Sequence, residues 1–176
     1  AVSEFDRAAP NGTGKYKAGA NYAGGLLATL NAQGLGANEA LYLDSAQNKY
    51  IDEAGSANIV IFTKDEQLIT PSSEAILPSI TRRSIMDLAE SELSLSTEAR
   101  PIELRAEFAN FQEMAACGTA AVIAPVGKIW FDNDWHTIFE DGKSVGPIMS
   151  ELYELLVGIQ RGEKEDKFGW LYNIDL

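Results

Sequence analysis

Gly12-Thr13-Gly14-Lys15-Tyr16-Lys17-Ala18-Gly19-Ala20-Asn21-Tyr22 is the most informative run in this 176-residue chain. It places an amine between glycines. Gly14 and Gly19 allow the backbone to approach a planar ligand, and Lys17 offers a nucleophile that forms a Schiff base with an aldehyde when desolvation keeps it neutral. Tyr22 follows five residues later. On spacing alone the commoner reading is a surface glycine turn with two solvated lysines, since short lysine–glycine strings are widespread. A phosphate-binding loop fits poorly. It needs a glycine five residues before Gly14-Lys15 and a serine or threonine after, where this chain has Ala9 and Tyr16.

The frame Gly-Thr-Gly-x-x-Lys-x-Gly-x-Asn-Tyr resembles the lysine segment of branched-chain amino-acid aminotransferases, which are fold type IV pyridoxal-phosphate enzymes. The resemblance implies that Lys17 holds pyridoxal 5'-phosphate as a Schiff base and that Tyr22 hydrogen-bonds the cofactor's phenolic oxygen. Lys15 matches no functional position. Three further motifs follow in the family's order.

The first is Glu53-Ala54-Gly55-Ser56-Ala57-Asn58. Read bare, a carboxylate leaving a strand before a glycine is a turn residue. The family's similar Glu-x-Gly-x-x-Asn implies that Glu53 pairs with the pyridine nitrogen, where an anion keeps the ring protonated and able to accept electrons. Ala57 stands where many relatives carry a larger residue. The second is Ile76-Leu77-Pro78-Ser79-Ile80-Thr81-Arg82-Arg83, at the start of an expected helix whose free amides suit a phosphate. By resemblance Ile80 and Thr81 contact the cofactor phosphate and Leu77 lies against the ring, with Ser79 replacing the usual glycine. Arg82 and Arg83 alone read as solvated helix charges. The third is Ala116-Cys117-Gly118-Thr119-Ala120-Ala121, a small-residue turn entering a buried strand. It looks like the family's Ser-Gly-Thr-Ala turn, in which Gly118 and Thr119 serve the cofactor and the amides of Thr119 and Ala120 hold the substrate carboxylate.

Composition narrows the alternatives. Hydrophobic residues make up 45% of the chain, enough for one domain that buries roughly 70% of its unfolded surface. No run of 18 apolar residues and no basic-then-apolar leader occurs, so neither a membrane span nor secretion is expected, and a cytoplasmic location is the default. A net charge of -12 argues against nucleic acid and anionic lipid as partners. With Cys117 the one cysteine and His136 the one histidine, no intrachain disulfide, thiolate cluster or multi-histidine metal site is available. His136 reads as a strand-packing residue and Cys117 as a packed thiol.

The remaining elements read in order. Asn21 is an expected N-cap for a helix in which Tyr22, Leu26 and Leu30 recur every four residues and Gly34 stops the run, with small residues Ala23, Gly24, Gly25 and Ala28 pressed against a sheet. The Lys17 run preceding it reads as a strand. Further strands are expected at 39–44, 49–53, 58–63 and 67–70, a helix at 81–92, mixed strand and turn at 94–102, a short helix at 103–110 and a strand at 122–126. A hairpin at 128–139 turns on Asn133-Asp134, and a helix opening at Gly146-Pro147 carries Met149, Leu152, Tyr153, Leu156 and Ile159 as one stripe. So many short links imply largely antiparallel pairing.

The expected architecture is therefore α/β, with mixed, largely antiparallel sheets forming a pseudo-barrel, as the family resemblance implies. Residues 1–176 read as a single large domain, because the chain opens Ala1-Val2-Ser3 and family members carry a smaller domain ahead of the lysine segment. That domain would supply an arginine to the cofactor phosphate and part of the substrate pocket. The chain alone is thus expected to be a poor transaminase. The run 162–170 resembles the C-terminal end of bacterial members.

The implied activity is reversible transfer of the amino group of leucine, isoleucine or valine to 2-oxoglutarate, by a homodimer. D-amino-acid aminotransferases and aminodeoxychorismate lyases share the fold, but their lysine segments usually lack the Gly-Thr-Gly and Gly-x-Asn-Tyr frame. A domain that folds without binding cofactor is the other alternative.

Overall fold

All six residues of Asn58–Thr63 are buried, as expected where an apolar run, here Ile59–Phe62, lies covered on both faces. In the computed structural model, which describes residues 1–174, this segment is the centre of the main sheet. The chain runs α1 (Gly19–Ala23), α2 (Gly25–Gly34), β1 (Leu41–Leu43), β2 (Ile51–Ala54), β3 (Asn58–Thr63), β4 (Gln67–Pro71) and α3 (Ile80–Leu93). It continues through β5 (Ser96–Arg100), α4 (Leu104–Glu107), β6 (Phe111–Gly118), β7 (Val122–Pro125), β8 (Lys128–Phe131), β9 (Asp134–Thr137) and α5 (Pro147–Gln160).

Five strands form the sheet in the order β5-β4-β3-β6-β7, and β1-β2 and β8-β9 are separate two-stranded sheets. Every pairing is antiparallel except β4 with β5. That parallel pair needs a long crossover, and α3 provides it.

Alternation along the central strands divides the core. Val60, Phe62 and Leu68 face α3 and α5, meeting Ile85, Leu88, Met149, Leu152 and Leu156. Ile59, Ile61 and Ile69 point the other way, onto Leu41, Leu43, Ile51, Ile102 and Ile129. The main sheet is thus sandwiched between helices and the two small sheets.

Several expectations need correction. Lys17 lies in a loop, not a strand, and Asn21 is inside α1, whose N-cap is Ala18. The leucines expected to face inward do not: Leu26 and Leu30 are exposed, while Ala28 and Ala32 are buried. Small side chains let this helix approach Tyr42 closely, so the face of Ala28 and Ala32 wins over the bulkier one. The run ends with Gly36, at φ +85°, rather than Gly34, which stays helical. The last hairpin turns on Asp132-Asn133, both at positive φ, the twist a two-residue hairpin requires. Tyr153 stands out of its stripe and is exposed. Phe111–Gly118, read only as a turn and its approach, is an eight-residue strand pairing β3 and β7.

Strand β6 also secures α5. Glu113 is buried; its Oε1 accepts from the Ile148 amide at 3.1 Å and its Oε2 from the Met149 amide at 2.8 Å. A Cβ on Gly146 would overlap this carboxylate, so the glycine gives it room at the positive end of the helix. Glu113→Ala strands two amides at a covered helix start. It is expected to lower stability by about 2–3 kcal/mol, read from urea unfolding; an unchanged midpoint removes Glu113 as the cap.

Candidate active site

The Lys17 loop is closed on itself by Asn21. The Asn21 Nδ2 donates to the carbonyls of Thr13 at 2.8 Å and Tyr16 at 2.9 Å, and its Oδ1 accepts from the Thr13 hydroxyl at 2.8 Å. Gly14 is buried beneath, where a Cβ would overlap the Ala75 carbonyl. This is the close backbone approach its missing side chain permits. Lys15 and Lys17 part company here. Lys15 pairs with Glu74 at 2.7 Å on the surface, whereas among the described residues no carboxylate pairs with Lys17, whose Nζ lies 5.7 Å from the Tyr22 ring centroid. Lys17 is exposed.

Glu53 is the penultimate residue of β2, with its side chain 1% exposed. Its Oε1 accepts from the Leu77 amide at 2.6 Å and from Asn58 Nδ2 at 3.1 Å. Its Oε2 meets Arg7 Nη2 at 2.6 Å, and the Arg7 side chain is itself only 4% exposed. Burial pushes the Glu53 carboxyl up to about 7, against the Arg7 charge and the Leu77 amide, which favour the anion. The same Arg7 donates to the Ala75 carbonyl at 2.7 Å and makes longer contacts of 3.4 Å to the Gly14 carbonyl. One guanidinium therefore joins Glu53, the Lys17 loop and the run leading to α3.

That run ends in a capped helix. Ser79 has an ordinary φ of −74°, and its hydroxyl accepts from the Arg82 amide at 3.2 Å, so replacing the family's glycine leaves no strain and adds an N-cap. The amides of Ile80 and Thr81 belong to the first turn, where helix geometry gives them no partner in the helix. Arg82 is not a solvated charge, since its Nη1 donates to the Pro71 carbonyl at 3.1 Å and its Nε is buried with no partner among the described residues.

The Gly118-Thr119-Ala120 turn reaches the same end by strand register. Cys117 pairs with Asn58, the residue that holds Glu53. Thr119 and Ala120 are exposed, and a Cβ on Gly118 would meet open space. Cys117 is buried and its thiol is pushed up to about 12 by desolvation. His136 stacks on Phe131 with ring centroids 3.8 Å apart, far in the chain from these groups.

Ala57 faces elsewhere. It lines a cavity of about 830 Å³ with Leu41, Ile59, Met114, Ile129 and Trp135, and none of Lys17, Leu77, Thr81 or Thr119 borders it.

The family model for class IV amino-transferases matches residues 1–129. The chain belongs to that family. This class IV chain is 44% identical over 173 residues to the branched-chain-amino-acid aminotransferase of Helicobacter pylori, covering 98% of itself and 49% of that protein. Among solved structures it resembles the branched-chain amino acid aminotransferase from Escherichia coli, with a TM-score of 0.81 and 34% identity over 96% of this chain and 54% of that one. It also resembles the enzyme from Thermobaculum terrenum in its PLP form, with a TM-score of 0.77 and 27% identity over 93% of this chain and 50% of that one. The class IV chain thus spans about half the length of the relatives it matches.

Arg7, Asn21 and Asn58 are the polar residues whose tasks the sequence reading missed. Asn58 had a signal, as the last residue of the Glu53 motif. Arg7 had only an indirect one: it is the sole cation before residue 15, and a buried carboxylate needs a counter-charge.

Proposed function

We propose that this chain is the cofactor-bearing large domain, residues 1–176, of a pyridoxal-phosphate-dependent branched-chain aminotransferase. It moves the amino group of leucine, isoleucine or valine to 2-oxoglutarate, giving branched 2-oxo acids and glutamate. One observation carries this reading: the sequestered Glu53 carboxylate, tied by Arg7 to the Lys17 loop and by the Leu77 amide to the run entering α3.

The donor set fits the cofactor. Glu53 Oε2 accepts from Arg7 alone among the described residues, leaving a lone pair for a protonated ring nitrogen. The start of α3 and the Thr119 turn offer amides and hydroxyls suited to a phosphate. Bound there, pyridoxal phosphate supplies an aldehyde for the substrate amine and a ring that accepts electrons from the substrate Cα.

The chain's own residues do the rest. Lys17 holds the aldehyde carbon and afterwards moves the proton at the substrate Cα as general base and acid. Glu53 holds a proton at the ring nitrogen, and Tyr22 orients the phenolic oxygen. Leu77 excludes water from a ring face. Ile80, Thr81, Gly118 and Thr119 bind the phosphate, and the amides of Thr119 and Ala120 orient the substrate carboxylate. Side chains outside this chain complete the substrate pocket and add a cation at the phosphate. In this reading the enzyme is a cytoplasmic homodimer.

Borohydride reduction of the intact protein loaded with pyridoxal phosphate tests the assignment. The pyridoxyl group is expected on Lys17 by peptide mapping. Finding it on Lys15, or on neither lysine, would sink the reading.

A further inference from the structure

Arg7 lies ten residues before Lys17 and belongs to none of the motifs, yet it touches three segments around the site. Its Nη2 meets Glu53 Oε2 at 2.6 Å, its Nη1 donates to the Ala75 carbonyl at 2.7 Å, and both nitrogens stand 3.4 Å from the Gly14 carbonyl. These three acceptors sit on three separate segments. A guanidinium, planar and forked, can reach them together, whereas an ammonium is a compact point charge. A buried ion pair adds little net stability once its desolvation is counted, so stability alone is a weak reason for this arrangement.

We propose that Arg7 is a positioning residue with two jobs: its charge favours the Glu53 anion against burial, and its fork seats the Lys17 loop against the Ala75 turn. The proposal rests on the reading that Lys17 and Glu53 serve one cofactor. The first job matters because Glu53 is otherwise poorly placed to stay charged. Burial opposes its ionisation, Asp52 on the same strand opposes it too, and Arg82 from α3 and the Leu77 amide help only in part. The thiol of Cys117, from β6, stays protonated through the neutral range and brings no charge. The second job follows from Gly14. Its missing Cβ lets the loop lie on Ala75, and Arg7 bonds to both sides of that contact.

The two jobs separate by substitution in the intact protein, without cofactor. Infrared spectroscopy follows the Glu53 carboxyl through its protonated carbonyl band, assigned by its loss in Glu53→Gln. Arg7→Gln removes the charge, and the titration midpoint is expected to rise by at least about one pH unit. Arg7→Lys keeps the charge and loses the fork. Its midpoint is expected to stay within about half a unit, while hydrogen exchange at amides 12–18 quickens at least about tenfold. An unmoved midpoint in Arg7→Gln, or unchanged exchange in Arg7→Lys, overturns the proposal.

Arg7→Met repeats the first readout if Arg7→Gln does not fold. Failure of both to fold, with Arg7→Lys folded and like wild type, also overturns it, leaving Arg7 a structural charge. Failure of the aminotransferase reading looks different: borohydride finds no cofactor on Lys17 while the carboxyl still responds to Arg7.

Discussion

Lys17→Ala is expected to lower transamination by the intact protein at least about ten-thousandfold, roughly 5 kcal/mol of barrier. Two losses combine in that figure. The cofactor's covalent seat goes, and so does the group that moves the proton at the substrate Cα. Folding should be untouched, because Lys17 is exposed and, among the described residues, makes no ion pair. Lys15→Ala is the matched control. Its partner Glu74 is a surface carboxylate, and such pairs contribute little, so turnover should stay within about twofold. Added methylamine should restore part of the lost proton transfer in Lys17→Ala but do nothing for a misfolded protein. Full turnover in Lys17→Ala, or a collapse in Lys15→Ala, would reverse the assignment of the two amines.

Glu53→Gln is expected to cost at least a hundredfold in turnover, about 3 kcal/mol. Glutamine keeps the size and can still accept from the Leu77 amide, but its NH2 takes the place of Oε2 and cannot accept from Arg7, so the loss combines the charge with the Arg7 contact. The same substitution has a second signature in the protein without cofactor. Burial lifts the carboxyl from an ordinary 4.5 to about 7, so between those values the folded state binds more protons than the unfolded one. Stability from this group is full below pH 4.5 and is lost as pH rises through about 7, with an upper limit of about 3 kcal/mol. Urea unfolding at pH 5 and pH 8 should show wild type losing stability toward pH 8 relative to Glu53→Gln. Parallel behaviour of the two proteins would place the Glu53 carboxyl outside a desolvated site, and unchanged turnover would remove it from the chemistry.

Much of this molecule is legible from its residues. Ile59–Phe62 is an unbroken apolar run, and β3 adds Asn58 and Thr63 at its ends; Pro147 marks the first turn of α5. The failures share a cause. Leu26 and Leu30 have good helical spacing, but the packing partner, Tyr42, lies on a separate strand whose contact with the helix no local pattern identifies, and it selects the alanine face. Phe111–Gly118 mixes Gln112, Glu113 and small residues, so its strand character depends on β3 and β7 pairing on either side. The site shows the same division. Lys17, Glu53, Leu77 and Thr81 stand out through local motifs, whereas Arg7 emerges only from contacts across the fold and the role of Asn21 only from the folded shape of the loop it closes.

The Asn21 clamp has a thermodynamic consequence. Its three hydrogen bonds to Thr13 and Tyr16 order the loop when the chain folds, before any ligand arrives. Fixing one residue's backbone costs about 1–2 kcal/mol of conformational entropy, so a slack loop of this length would weaken capture by orders of magnitude. Here that entropy is surrendered during folding, so ordering this loop subtracts nothing further from the affinity at the binding step.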